Sequence, residues 1–139
     1  MEALRRAMLL CAAAVLVVLL AGCSVNQVIW GRDGARVIET TERLIDAGVA
    51  GESASFACDD AVVDFRQPED WRELYPGEPE KFSARYWREQ AELDPAWSIN
   101  VSLEQDRVAP GLEFPGDVFY RETDDGLCVV DIAWWTVAD

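Results

Sequence analysis

Leu127-Cys128-Val129-Val130-Asp131-Ile132-Ala133-Trp134-Trp135-Thr136-Val137 holds a single charge and is rich in β-branched and aromatic side chains. That composition over that length reads as a strand. Side chains alternate between the two faces of a strand, which groups Cys128, Val130, Ile132 and Trp134 on one side. Leu127, Val129, Asp131, Ala133 and Trp135 fall on the other. Both sides are largely apolar, so both call for cover. Just upstream, Thr123-Asp124-Asp125-Gly126 is a hairpin-turn signal, because Asp-Gly tolerates the positive φ angles of tight turns. The turn joins this strand to one expected over residues 117–122. A further strand is read from Trp97, Ile99, Val101 and Leu103, which alternate with Ser98, Asn100 and Ser102.

Earlier in the chain the period changes to that of a helix. Val37, Ile38, Thr41, Leu44, Ile45 and Gly48 recur at helical spacing, with Arg36, Glu39, Glu42, Arg43 and Asp46 between them. Asp33 is the expected N-cap, and Gly48 and Gly51 are the expected stop. A second helix is expected from Glu52 to about Asp64. Residues 75–80, with Pro76, Gly77 and Pro79, read as a loop. A third helix carrying Phe82, Tyr86 and Leu93 is expected to end at Asp94-Pro95. Helices followed by a meandering antiparallel sheet make an α+β domain.

Residues 1–30 set the expected compartment. Arg5 and Arg6 precede an uncharged run from Ala7 to Leu20, the layout of a secretory signal peptide. Leu20-Ala21-Gly22-Cys23 resembles the lipobox of bacterial lipoproteins, in which the cysteine is acylated and becomes the new N-terminus. The competing reading is an uncleaved membrane span, but a span needs about 20 apolar residues and this run is shorter. The resemblance implies a signal peptide over residues 1–22, lipidation (palmitate included) at Cys23, and a tether over residues 23–30. A single α+β domain then occupies residues 31–139, anchored to the membrane by lipid on its extracytoplasmic face. Roughly 117 residues remain after cleavage, the size of one ordinary domain.

With Cys11 lost in the leader and Cys23 acylated, Cys58 and Cys128 are left in an oxidising compartment, where a disulfide is the default outcome. Such a bridge closes a loop of about 70 residues and stabilises the fold by roughly 4 kcal/mol on chain-entropy grounds. The formal net charge of −14 disfavours nucleic acid, whose binders cluster Lys and Arg. Histidine is absent, which removes the commonest acid-base group and any Cys/His metal set. Asp59, Asp60 and Asp64 match no dedicated calcium loop, so neither metal nor cofactor is assigned.

Leu44-Ile45-Asp46-Ala47-Gly48-Val49-Ala50-Gly51-Glu52, Phe56-Ala57-Cys58 and Gly126-Leu127-Cys128-Val129-Val130-Asp131-Ile132 resemble segments of small lipoproteins with the nuclear-transport-factor-2-like, or cystatin-like, fold. That resemblance implies helices packed on a curved antiparallel sheet, a cone with a pocket at its open end. Residues 66–96 depart from it as an acidic, aromatic-rich insertion. In the cone, Cys58 on the helical layer reaches Cys128, and Val130, Ile132 and Trp134 line the interior, which is either an open pocket or filled. Asp131 is the candidate general base of a small enzyme, or else the partner of Arg121 or Arg107. Leu127, Val129 and Trp135 form either a partner or homodimer surface or a face covered by the insertion around Trp71, Tyr86 and Trp87. The reading is a binding or interaction module of the cell envelope, for an unidentified small molecule or envelope protein. The carboxylate enzyme is the alternative.

Overall fold

The computed structural model describes residues 24–139. The expected leader, lipobox and Cys23 lie outside them. By its internal contacts the described chain divides into two compact units, with the boundary after Ala35 and the second spanning Arg36–Asp139. Helix α1 spans Val25–Ala50, interrupted by non-helical geometry at Gly31, where φ is +72°. Residues 25–30, expected as part of the tether, are thus helical, and the break falls at Gly31, two residues before the expected N-cap Asp33. No helix among the described residues is long and apolar enough to cross a membrane.

The second unit takes its helix from the C-terminal part of α1. Val37, Ile38, Thr41, Leu44, Ile45 and Gly48 are all buried, and Arg36, Glu39, Glu42, Arg43 and Asp46 are all exposed. The apolar stripe read from the sequence is the stripe that packs. The sheet comprises β1 (Leu74–Lys81), β2 (Trp97–Leu103), β3 (Glu113–Thr123) and β4 (Gly126–Thr136), antiparallel throughout and ordered β1-β2-β3-β4. The domain is therefore α+β: one long helix and a four-stranded meander.

Thr41 and Tyr120 show which face of the sheet meets α1. Their hydroxyls lie 2.8 Å apart in full burial, and burial pushes the Tyr120 phenol well above its ordinary pKa. Val118 shares that face, and cross-strand pairing brings Ile99, Ile132 and Val129 to it. Trp71, 1% exposed, closes one end by lying flat against Gly48, where a Cβ would sit 2.3 Å from the indole. At the other end Glu122 accepts from Trp97 Nε1 at 2.8 Å and from Arg36 at 3.1 Å. The Trp97 hydrogen bond, with help from Lys81 and Arg36, holds that carboxyl below its usual range.

Two expected helices are absent. Residues 53–56 form one 3-10 turn, after which Ala57 bridges Val129 in parallel and Cys58 N donates to Val129 O at 2.9 Å. Pairing with the free edge of β4 outcompetes a short helix, which is marginal by itself. Residues 82–93 are turns ending in a 3-10 turn at Ala91–Leu93. Of the expected apolar face, Phe82 packs on Phe119, but Tyr86 is 73% exposed and Leu93 36%, and Trp87 packs on Phe119 in their place. The expected loop at 75–80 is instead the edge strand β1. Its two prolines are tolerated there because an edge strand leaves N–H positions unpaired, and a bulge lies between them. Asn100 Oδ1 accepts from Glu78 N at 2.8 Å within that bulge.

Cys58 and Cys128 are disulfide-bonded, with Cα atoms 4.9 Å apart. The bridge does not join the helical layer to an interior face as the cone reading expects. Cys58 packs with Phe119 and Val130, on the side of the sheet away from α1.

Candidate functional site

Two bulges decide what each face of β3 and β4 presents. The β3–β4 register shifts between Phe119 and Tyr120, leaving Val130 as the extra residue on β4. An extra residue resets the alternation. Val130 therefore joins Cys58 and Phe119 on the face away from the helix, while Val129 pairs with Tyr120 and Ile132 with Val118 on the helix side. The expected interior trio of Val130, Ile132 and Trp134 is divided. Val130 and Ile132 are buried on opposite faces, and Trp134 stacks edge-on against Trp71 at 6.0 Å.

The expected outer surface divides likewise. Val129 is fully buried on the helix side, so it offers nothing to a partner, and of Leu127, Val129 and Trp135 only Trp135 is exposed. Phe82 and Trp87 of the 66–96 segment cover the middle of the far face around Phe119. Trp71 covers the helix side instead, and Tyr86 covers little.

A second register shift, between Pro115 and Asp117, makes Gly116 the extra residue on β3. The Trp135 indole lies over it so closely that a Cβ would fall 2.2 Å from the ring. Only glycine admits this contact. The bulge places Asp117 between Asn100 on β2 and Ala133 on β4, and the Trp135 indole beside it. Asp117 is 8% exposed, at the wall of a groove of about 580 Å³ whose apolar lining includes Trp87, Val108, Phe114 and Trp135. Trp135 is 51% exposed and Val108 52%, so the aromatic rim is open to solvent.

Burial pushes the Asp117 carboxyl up to about 6; hydrogen bonding from the Trp135 side chain opposes this, and nearby Glu80 adds to it. None of the ion pairs among the described residues includes Asp117. A desolvated acid without a cation, in an aromatic groove, is the most perturbed carboxylate of the domain and the best-defined candidate site.

The expected acid, Asp131, is placed differently. Half-buried, it accepts from Gln90 Nε2 at 3.0 Å rather than pairing with Arg121 or Arg107. Arg121 holds Asp60 at 2.9 Å and the Leu93 carbonyl at 2.6 Å, and Arg107 donates to the carbonyls of Arg72 and Glu69. Asp64 is engaged by Arg66. Asp60 and Asp64 are thus each turned toward a different arginine.

A larger cleft of about 700 Å³ opens beside the disulfide, lined by Arg36, Arg43, Arg121, Asp59, Asp60 and Asp125 among others. Its charges are of both signs, and Arg36–Glu122 and Arg121–Asp60 are already matched. Its other charged groups, Arg43, Asp59 and Asp125, are exposed to solvent, unlike the buried carboxyl of the Asp117 groove. Compared with models of protein families, with curated proteins and with solved structures, the chain matches none.

Proposed function

We propose that this chain is a membrane-anchored extracytoplasmic lipoprotein whose domain is a binding module, with the Trp87–Trp135 groove as its ligand site. The groove is the observation that carries the reading. It has the volume usual for small-molecule sites, a mostly apolar and aromatic wall, and one placed ionisable group at Asp117. The Cys58–Cys128 disulfide suits an exported protein, and the leader followed by Leu20-Ala21-Gly22-Cys23 suits lipid anchoring. One long helix against a four-stranded antiparallel meander supports the finer reading of a nuclear-transport-factor-2-like, or cystatin-like, cone. In this chain the proposed site lies on the sheet face away from the helix.

Mass spectrometry of the protein from its native host tests the anchor: a diacylated fragment beginning at Cys23 is expected, and an intact residue 1–22 segment overturns it. Saturation-transfer NMR with neutral aromatic fragments such as indole and toluene tests the groove. Contacts that disappear in Trp135→Ala are expected. Fragments that contact the wild type and this variant equally lie elsewhere and refute the assignment.

A further inference from the structure

From the Asp117 carboxylate and the aromatic rim around it, we infer that the groove takes an organic ammonium ion, its charged head against Asp117 and its apolar body along Trp87, Phe114 and Trp135. This rests on the groove being a ligand site and adds the ligand's chemical class. A buried carboxylate is costly unless it is paired, and no arginine or lysine of the described residues forms an ion pair with Asp117. An incoming cation removes that cost. Glu80 adds a second negative group nearby, which works in the same direction.

The rings supply the rest of the selectivity. Indoles attract cations through their negative faces, and ammonium heads with apolar substituents lose little hydration on entering an aromatic wall. An anionic ligand meets the opposite field at Asp117 and Glu80. The groove also differs from the charged cleft beside the disulfide, where Arg36 and Arg121 have carboxylate partners.

The test uses three ligands of similar shape: benzyltrimethylammonium, its uncharged isostere neopentylbenzene, and benzylsulfonate. Each is titrated at pH 7.5 into the 15N-labelled protein, with the Trp87 and Trp135 indole N–H signals as the readout. The ammonium is expected to bind about tenfold or more tightly than the neutral isostere, and the sulfonate not to bind. In Asp117→Asn the preference of cation over isostere is expected to vanish while isostere binding persists, and Trp135→Leu is expected to weaken both. Equal affinity for ammonium and isostere in the wild type refutes the cation inference and leaves the binding groove standing. If none of the three shifts either indole signal, the groove reading fails and the inference with it. A cation preference unchanged in a folded Asp117→Asn also refutes the inference.

Discussion

Two carboxylates stand inside apolar strands, Asp117 in Gly116-Asp117-Val118-Phe119-Tyr120 and Asp131 in Val129-Val130-Asp131-Ile132-Ala133. The sequence pattern marks both as unusual but does not say which is desolvated. That difference comes from neighbours distant in sequence: Gln90 reaches Asp131, whereas Asp117 is enclosed by aromatic and apolar groups without a cation. The proton balance at Asp117 has a measurable consequence. An unfolded chain releases this proton near 3.8 and the folded protein holds it to about 6, so between those values the native state binds more protons. Asp117 therefore favours folding most below that interval, and its contribution falls as pH rises through about 6. Asp117→Asn, which keeps the shape and an acceptor for Trp135, removes the effect. The variant is expected to match the wild type near pH 4 and to exceed its stability by about 1–3 kcal/mol above pH 7. Urea midpoints across that range check this, and a constant difference at all pH values contradicts it.

At the scale of elements, the part of α1 after Gly31 was legible because its stripe of Val37, Ile38, Thr41, Leu44 and Ile45 follows from a single local period. The β3–β4 hairpin was legible for a similar reason, since Thr123-Asp124-Asp125-Gly126 marks the turn: Asp124 and Asp125 link the strands and Gly126 opens β4 at φ +119°. The faces of β4 were not. A bulge at Val130 depends on the partner strand, and nothing in Val129-Val130-Asp131 announces it. The glycine bulge at 116 is easier to see in retrospect, because Gly116 sits inside a strand interior, where glycine often signals a bulge or close approach. Gly116→Ala is expected to push the Trp135 ring off the strand and lower stability by roughly 1–3 kcal/mol. It also abolishes fragment binding at the Trp135 signal, which distinguishes loss of the groove wall from simple destabilisation. The stretch after α1 is held differently: one backbone bridge and one disulfide fasten it to β4. The double variant Cys58→Ser/Cys128→Ser is expected to lose about 4 kcal/mol in denaturant unfolding, with a 70-residue loop released. A loss below about 1 kcal/mol shows that the bridge leaves the unfolded chain essentially unconstrained.

Across the whole molecule the dominant electrostatic fact is the excess of 26 acidic over 12 basic residues. Like-charge repulsion favours expansion, whereas the exposed pairs Arg36–Glu122 and Arg121–Asp60 favour the fold. Salt screens both, so the sign of its effect reveals which is larger. Exposed pairs contribute about 0–1 kcal/mol each, and the excess of negative charge is spread over the entire surface. Repulsion should therefore prevail. Raising NaCl from about 0.01 to 0.1 M shortens the screening length from about 30 to 10 Å, and the thermal midpoint is expected to rise by a few degrees. Calorimetry along that series decides, since a falling midpoint means that the ion pairs outweigh the repulsion. The same field draws cations toward the protein from a distance and turns anions away. Salt should thus slow the association of an ammonium ligand with the Asp117 groove while it stabilises the fold. Two opposite responses to one variable separate the field that gathers the ligand from the contacts that hold it.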